Sequence, residues 1–177
     1  MRDLITPHDP NWSAAFDAEA RAVQAVLAEV AIALHHIGST AIPGIPAKPV
    51  IDMLGVVPEL GQLDRRTVEL RALGYVAMGA YGIEGRRYFL KKDAAGRHTH
   101  HLHVYPEGSA HIERHLVFRD YLRQHPEQAA AYGTLKLRLT NGGARSREAY
   151  QDGKAPFIMQ TERKALDWCR GPSKTAG

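Results

Sequence analysis

One acid and two imidazoles stand where surface chemistry does not readily explain them. Asp52 lies inside Val50-Ile51-Asp52-Met53-Leu54, an apolar run that reads as a buried strand. A carboxylate there must be paired, protonated or bound to a cation, because an isolated buried charge is very costly. His101 and His103 belong to Thr99-His100-His101-Leu102-His103-Val104-Tyr105. In a strand, alternate residues share a face, so Thr99, His101, His103 and Tyr105 form a polar face opposite His100, Leu102 and Val104. Two imidazoles at this spacing suit one metal or one phosphate. A metal needs a further ligand, and Asp52 or His36 on neighbouring strands supplies candidates. The competing readings are a structural ion pair for Asp52 and an exposed sheet face for the histidines.

The second set of residues points to an anion. Gly38-Ser39-Thr40 follows a predicted strand and can aim backbone N–H groups and two hydroxyls at a phosphate. Taken alone it is a plain turn, and it is not a Walker motif, since Gly-x-x-x-x-Gly-Lys-Ser/Thr is absent. Lys48, Arg87, Arg119, Lys136 and Lys154 are the candidate anion contacts, although each by itself reads as solvated surface charge.

These groups need elements to position them. Asp9-Pro10 opens a helix over about 10–29, where Phe16, Ala20, Val23, Leu27 and Val30 recur at helical spacing. A strand is expected over 32–37, then a loop over 38–49 punctuated by Pro43, Gly44, Pro46 and Pro49. Val50–Val57 is a central strand, apolar on both faces. A helix over 60–73 closes at Gly74. Three strands follow at about 75–80, 86–92 and 98–105, and their short links imply antiparallel neighbours. The remainder is helical: Ser109 to Gln124, Pro126 to Leu139, a break at Asn141-Gly142-Gly143, and a last helix from Pro156 to Cys169 before a frayed tail. Partly segregated strands and helices predict an α+β fold with a mixed sheet of about five strands and a helical C-terminal part.

Composition sets the outer bounds. The 177 residues suit a single domain over 1–177 with a real core. No apolar run approaches the length of a membrane span, and no signal-peptide core opens the chain. One cysteine, Cys169, excludes an internal disulfide, so a reducing cytoplasm is expected. The net charge of +4 favours an anionic partner without choosing among anions. The basic residues come as scattered pairs with no basic arm, which counts against nucleic acid.

Together these segments resemble the GrpB family. The resemblance rests on His36-Ile37-Gly38-Ser39-Thr40, the Pro-Gly loop, Ala47-Lys48-Pro49 and Val50-Ile51-Asp52. It continues through His101-Leu102-His103-Val104, Phe118-Arg119-Asp120-Tyr121-Leu122-Arg123 and Tyr150…Lys154…Phe157-Ile158. With Asp9-Pro10-x-Trp12 it runs in order from about residue 8 to 168. It implies a nucleotidyltransferase-like fold and a link to cofactor metabolism, since related domains occur fused to dephospho-coenzyme A kinase. In that superfamily a Gly-Ser opens the site, an Asp-x-Asp pair holds divalent metal on nucleotide phosphates, and a third acid sits on a later strand. Gly38-Ser39 and Asp52 match, but position 54 is leucine and the later strand carries His101 and His103. One carboxylate and two imidazoles do not neutralise two Mg²⁺ ions as three acids do.

The first expectation is therefore an enzyme of nucleotidyl or phosphoryl transfer on a nucleotide or phosphorylated small molecule. Asp52, His101 and His103 would be its catalytic residues. Gly38, Ser39, Thr40, Lys48, Arg87, Arg119, Lys136 and Lys154 would bind its substrate. Asp52, His36, His101 and His103 would hold a divalent metal (Mg, Mn or Zn). The second is a non-catalytic binding domain that kept the anion site and lost the acid pair. RNA binding ranks third.

Overall fold

The computed structural model describes residues 5–143 and 146–171; the tail expected to fray lies, from residue 172 on, outside the described residues. The first helix, α1, spans Asn11–Val26. Asp9 starts it, its carboxylate accepting from the Asn11 N–H at 2.9 Å. It ends short of residue 29, closed by a turn in which the Val30 N–H donates to the Leu27 carbonyl at 2.7 Å.

Five strands follow: β1 (Ala33–Ile37), β2 (Ile51–Val57), β3 (Tyr75–Ala77), β4 (Arg87–Lys92) and β5 (His98–Pro106). They form one sheet in the order β1-β2-β5-β4-β3. The β2–β5 pair is parallel and the other pairs are antiparallel. The fold is thus α+β with a five-stranded mixed sheet, and β2 is central as expected. The predicted helix over 60–73 is instead two short helices, α2 (Leu60–Asp64) and α3 (Thr67–Ala72). The Thr67 hydroxyl donates to the Asp64 carbonyl at 3.0 Å and caps the first piece. The strand expected over 75–80 stops at Ala77, where Gly79, Gly82 and Gly85, all at positive φ, bend the hairpin into β4.

Strand alternation gives the sheet two unlike faces. Ile51, Met53 and Val57 of β2, Leu102 and Val104 of β5, and Phe89 of β4 are buried in one apolar core with Val23 and Leu27 of α1, Leu63 and Leu70. Asp52, His101, His103 and Tyr88 point the other way, as the register requires: Asp52 pairs with His101, and Tyr88 with His103.

The C-terminal helices are α4 (Ala110–Gln124), α5 (Pro126–Arg138) and α6 (Arg147–Arg170), with a π-type turn at Leu139–Gly143. The start expected at Pro156 is wrong. Ser146 caps α6 nine residues of helix earlier, its hydroxyl accepting from the Ala149 N–H at 3.1 Å, and Pro156 lies inside the helix. A proline there removes one helical hydrogen bond, and packing holds the helix together. Gly153 belongs to that packing: a Cβ on it would come within 2.6 Å of Leu139. Ile42 and Ile45 of the 38–49 loop are buried against α4, α5 and α6 with Val117, Leu122 and Tyr132. The loop therefore docks the helical part onto the sheet.

Candidate functional site

Asp52 stands near the start of β2, beside the turn at Ser39–Ala41. Gly38 makes that closeness possible. Its φ is +72°, and a Cβ added there would lie 2.6 Å from Asp52 Oδ2. On the next strand, the His101 Nδ1–H donates to Asp52 Oδ1 at 3.0 Å, because a carboxylate only accepts. The other nitrogen of His101 lies 2.9 Å from His98 Nδ1. His103 Nε2 is 3.8 Å from the same Asp52 oxygen. Arg86 Nη1 lies 3.4 Å from His103 Nδ1; a guanidinium only donates, so that nitrogen accepts and Nε2 carries the hydrogen toward Asp52. Burial raises the Asp52 carboxyl, but the hydrogen bonds of His101 and His103 outweigh it and hold the group well below the usual carboxylate range.

These side chains open onto a cleft of about 450 Å³. Ser39 and Thr40 form one corner, and Lys48, Lys136 and Lys154 line it from the loop, α5 and α6. Lys136 is only 2% exposed. Its ammonium donates to the Pro46 carbonyl and lies 4.7 Å from the Tyr132 ring. Burial, then the neighbouring Lys154, pushes it down to about 7. Lys48 and Lys154 lie 5.0 and 4.4 Å from the Tyr150 ring, which also lines the cleft. Tyr132, hydrogen-bonded to Ser39, is pushed up to about 12, chiefly by burial.

Eight of the predicted residues thus share one cleft: Ser39, Thr40, Lys48, Asp52, His101, His103, Lys136 and Lys154. Three others are elsewhere. His36 pairs with Met53, so its ring lies on the covered face, stacked 4.9 Å from Phe16 and hydrogen-bonded to the Thr40 hydroxyl at 3.0 Å. Burial first, then Arg123, pushes it down to about 4. It is not placed to share a metal with Asp52. Arg87 also faces the covered side, where its guanidinium engages Asp64 at 2.6 and 2.7 Å. Arg119 braces β1, donating to the His36 carbonyl at 3.0 Å and to Asp120 at 2.7 Å. The residue missed was Arg86, which lines the cleft and is 6% exposed. Strand parity carries its signal: Arg86 and Tyr88 share the face of His103, and Arg87 does not.

The donor set does not suit the divalent-metal pair that the family resemblance implies. His101 has both nitrogens engaged, Leu54 stands on the site face where a second acid would be, and His36 is turned away. Among the described residues no three His, Cys, Asp or Glu side chains are grouped to hold a metal ion.

Residues 4–164 match the family model described as GrpB protein. The chain belongs to the GrpB family. It is 41% identical over 173 residues to the UPF0157 protein YqkA of Bacillus subtilis, matching 98% of this chain and 50% of that protein. The chain thus spans about half the length of that relative. It is also 28% identical over 188 residues to a dephospho-CoA kinase of Mycolicibacterium paratuberculosis, matching 93% of this chain and 46% of the kinase. The crystal structure of the conserved protein GrpB from Enterococcus faecalis superposes with a TM-score of 0.87 at 38% identity, covering 95% of this chain and 100% of that one. The Cid1 poly(U) polymerase with MgGTP bound superposes with a TM-score of 0.55 at 14% identity, covering 80% of this chain and 46% of that one. That likeness establishes a nucleotidyltransferase-like fold for this GrpB chain. No helix among the described residues is long and apolar enough to cross a membrane.

Proposed function

We propose that this GrpB chain binds a phosphorylated small molecule, a nucleotide or a close analogue, in the cleft beside Asp52. The observation that carries the reading is the charge of one cavity. Lys48, Arg86, Lys136 and Lys154 line it around a single carboxylate that two imidazoles address. A volume of about 450 Å³ falls within the usual range for small-molecule sites. The phosphate would sit against Ser39, Thr40 and the lysines. Asp52 stays ionised and orients His101, whose Nδ1–H it accepts, and His103, whose Nε2 faces it. The arrangement fits recognition of a phosphate. Two-metal nucleotidyl transfer lacks its acids here.

The test is a thermal-shift and calorimetric panel of nucleotides and coenzyme A precursors, with and without Mg²⁺, Mn²⁺ and Zn²⁺. The expected result is a stabilising shift that persists without metal and weakens in Lys154→Ala and Asp52→Asn. A shift that appears only with metal would restore the metal-dependent reading. Tight RNA binding with a steep salt slope would move the function to nucleic acid. No shift with any phosphorylated ligand would overturn the proposal.

A further inference from the structure

Three tyrosines line the cleft: Tyr81, Tyr88 and Tyr150. Two already have their faces occupied. Tyr150 is 8% exposed and lies under the ammoniums of Lys48 and Lys154. Tyr88 is 7% exposed, with the Arg86 guanidinium 5.0 Å from its ring and the rings of His101 and His103 tilted against it at 5.7 and 5.0 Å. Tyr81 differs. Its ring is stacked on Tyr88 at 5.1 Å and 19°, yet the residue is 57% exposed.

The backbone under Tyr81 is also unusual. It is the one non-glycine residue at positive φ among the described residues, at 46°. That conformation is costly for a bulky side chain and persists where the surroundings over-determine it. Arg86 supplies the constraint. Its guanidinium donates to the Ala80 carbonyl at 3.1 Å and the Tyr81 carbonyl at 2.7 Å, and it reaches His103 at 3.4 Å. One buried cation therefore fixes the hairpin loop and the imidazole together. An exposed aromatic ring is held in an unfavourable conformation at the mouth of a cationic cleft.

We propose that Tyr81 is the platform on which a planar ring of the ligand stacks, so that the phosphorylated ligand of this cleft is a nucleotide and not a sugar phosphate or inorganic phosphate. The inference rests on the phosphate-binding reading above and narrows it. Stacking is tolerant of base identity because every base presents a π-face, so purine and pyrimidine nucleotides should both bind, with little discrimination from this contact.

The test titrates the full chain with adenosine and uridine diphosphates and, as probes with no aromatic ring and ring-less in that sense, ribose 5-phosphate and inorganic pyrophosphate. The wild-type protein should bind both nucleotides more tightly than either ring-less probe. Tyr81→Gly suits the backbone at positive φ, and melting checks that the fold is kept. It should weaken nucleotide binding about tenfold, within the usual worth of a base–aromatic stack, and leave the ring-less probes unchanged. Tyr81→Phe keeps the ring and should keep nucleotide affinity. Ring-less probes that bind as tightly as nucleotides overturn the platform alone, as does a Tyr81→Gly protein with intact nucleotide affinity. A Tyr81→Gly change that weakens both classes equally shows a general loop effect and also overturns it. Failure of every phosphorylated probe to bind sinks this inference and the phosphate-binding reading together.

Discussion

The two faces of this sheet are made by the same strands and obey different rules. On the face under α1, Met53, Leu102 and Phe89 share one apolar core, and two basic residues of that face have structural partners. Lys91 pairs with Glu19 at 2.8 Å and Arg87 with Asp64. On the other face, the next residues along, Asp52, His101 and Tyr88, open onto a cleft with an excess of positive charge. Elsewhere on that face Ile37, Leu54 and Tyr105 pack with Ile112 and Leu116 of α4. A one-residue step along a strand therefore changes a side chain's job from holding the sheet to facing a ligand.

The largest expected effect breaks the covered face. Leu102 is fully buried between His101 and His103 in sequence. Leu102→Ala should cost roughly 2–5 kcal/mol of stability by denaturant unfolding, as large-to-small core substitutions do. Ligand affinity of the folded fraction should stay near wild type. His101→Ala should show the reverse weighting, with affinity lost and a smaller loss of stability, from the hydrogen bond that Asp52 gives up. If both variants lose stability alike and neither changes binding, the division of labour between the faces fails.

Acid should expose the covered face next. His36 is held neutral in the fold down to about 4, against an ordinary value of 6.5, mainly by burial. The unfolded chain takes up this proton as pH falls through 6.5, and the folded chain does so only near 4. Stability should therefore drop across that window, by on the order of 3 kcal/mol from this group. His115, pushed down to about 3 chiefly by burial, adds a slope of the same sign. His36→Gln should flatten part of the slope in denaturant midpoints taken between pH 7 and 4.5. Asp52, depressed below its ordinary 3.8, adds a loss of the same sign only at the acid end of that window, with most of it below pH 4.

On the cleft face the pH response should appear in binding. With Lys136 near 7, an anion prefers the ammonium form, and the free protein above that pH must first gain a proton. Affinity for a phosphorylated ligand should fall roughly fivefold from pH 7 to 8, as the competent fraction shrinks. Lys136→Arg stays charged throughout and should bind with a flat pH profile over that range. A wild-type profile as flat as the arginine variant's would remove Lys136 from the ligand's reach.

Much of this was legible from residue types. Alternation put His101 and His103 on one face, and the apolar run around Asp52 marked a strand with an out-of-place acid. The antiparallel hairpins followed from short links. Three things were hidden, each for a physical reason. The end of a helix was misplaced where a capping serine overrode an interior proline, as at Ser146 and Pro156. The loop at 38–49 looked like a binding corner alone, and its role in docking α5 depends on Gly133, whose missing side chain admits Pro46: a Cβ would lie 2.8 Å from it. Partners distant in sequence, such as Arg119 with the His36 carbonyl, cannot be seen without the fold.

The finest separation of the two faces lies in neighbouring arginines. Arg86 and Arg87 are alike in composition and adjacent in sequence, and the sequence alone favoured Arg87 as the anion contact. The register reverses that choice. Arg87 opposes Val104 on the covered side and makes a half-exposed ion pair with Asp64, whose carboxyl it holds below the usual range. Partly exposed pairs contribute about 1 kcal/mol or less. Arg87→Ala should therefore change stability by no more than that and leave ligand affinity untouched. Arg86 is buried, fastens the Ala80 and Tyr81 carbonyls and sets the hydrogen on His103. Arg86→Ala should weaken binding of phosphorylated ligands and loosen the loop, seen as faster amide exchange at residues 80–85. Arg86→Lys should recover the charge without the fork that grips two carbonyls, and so restore binding only in part. Equal binding losses from the two alanine variants would mean that charge alone, and not the face it occupies, decides what reaches the ligand.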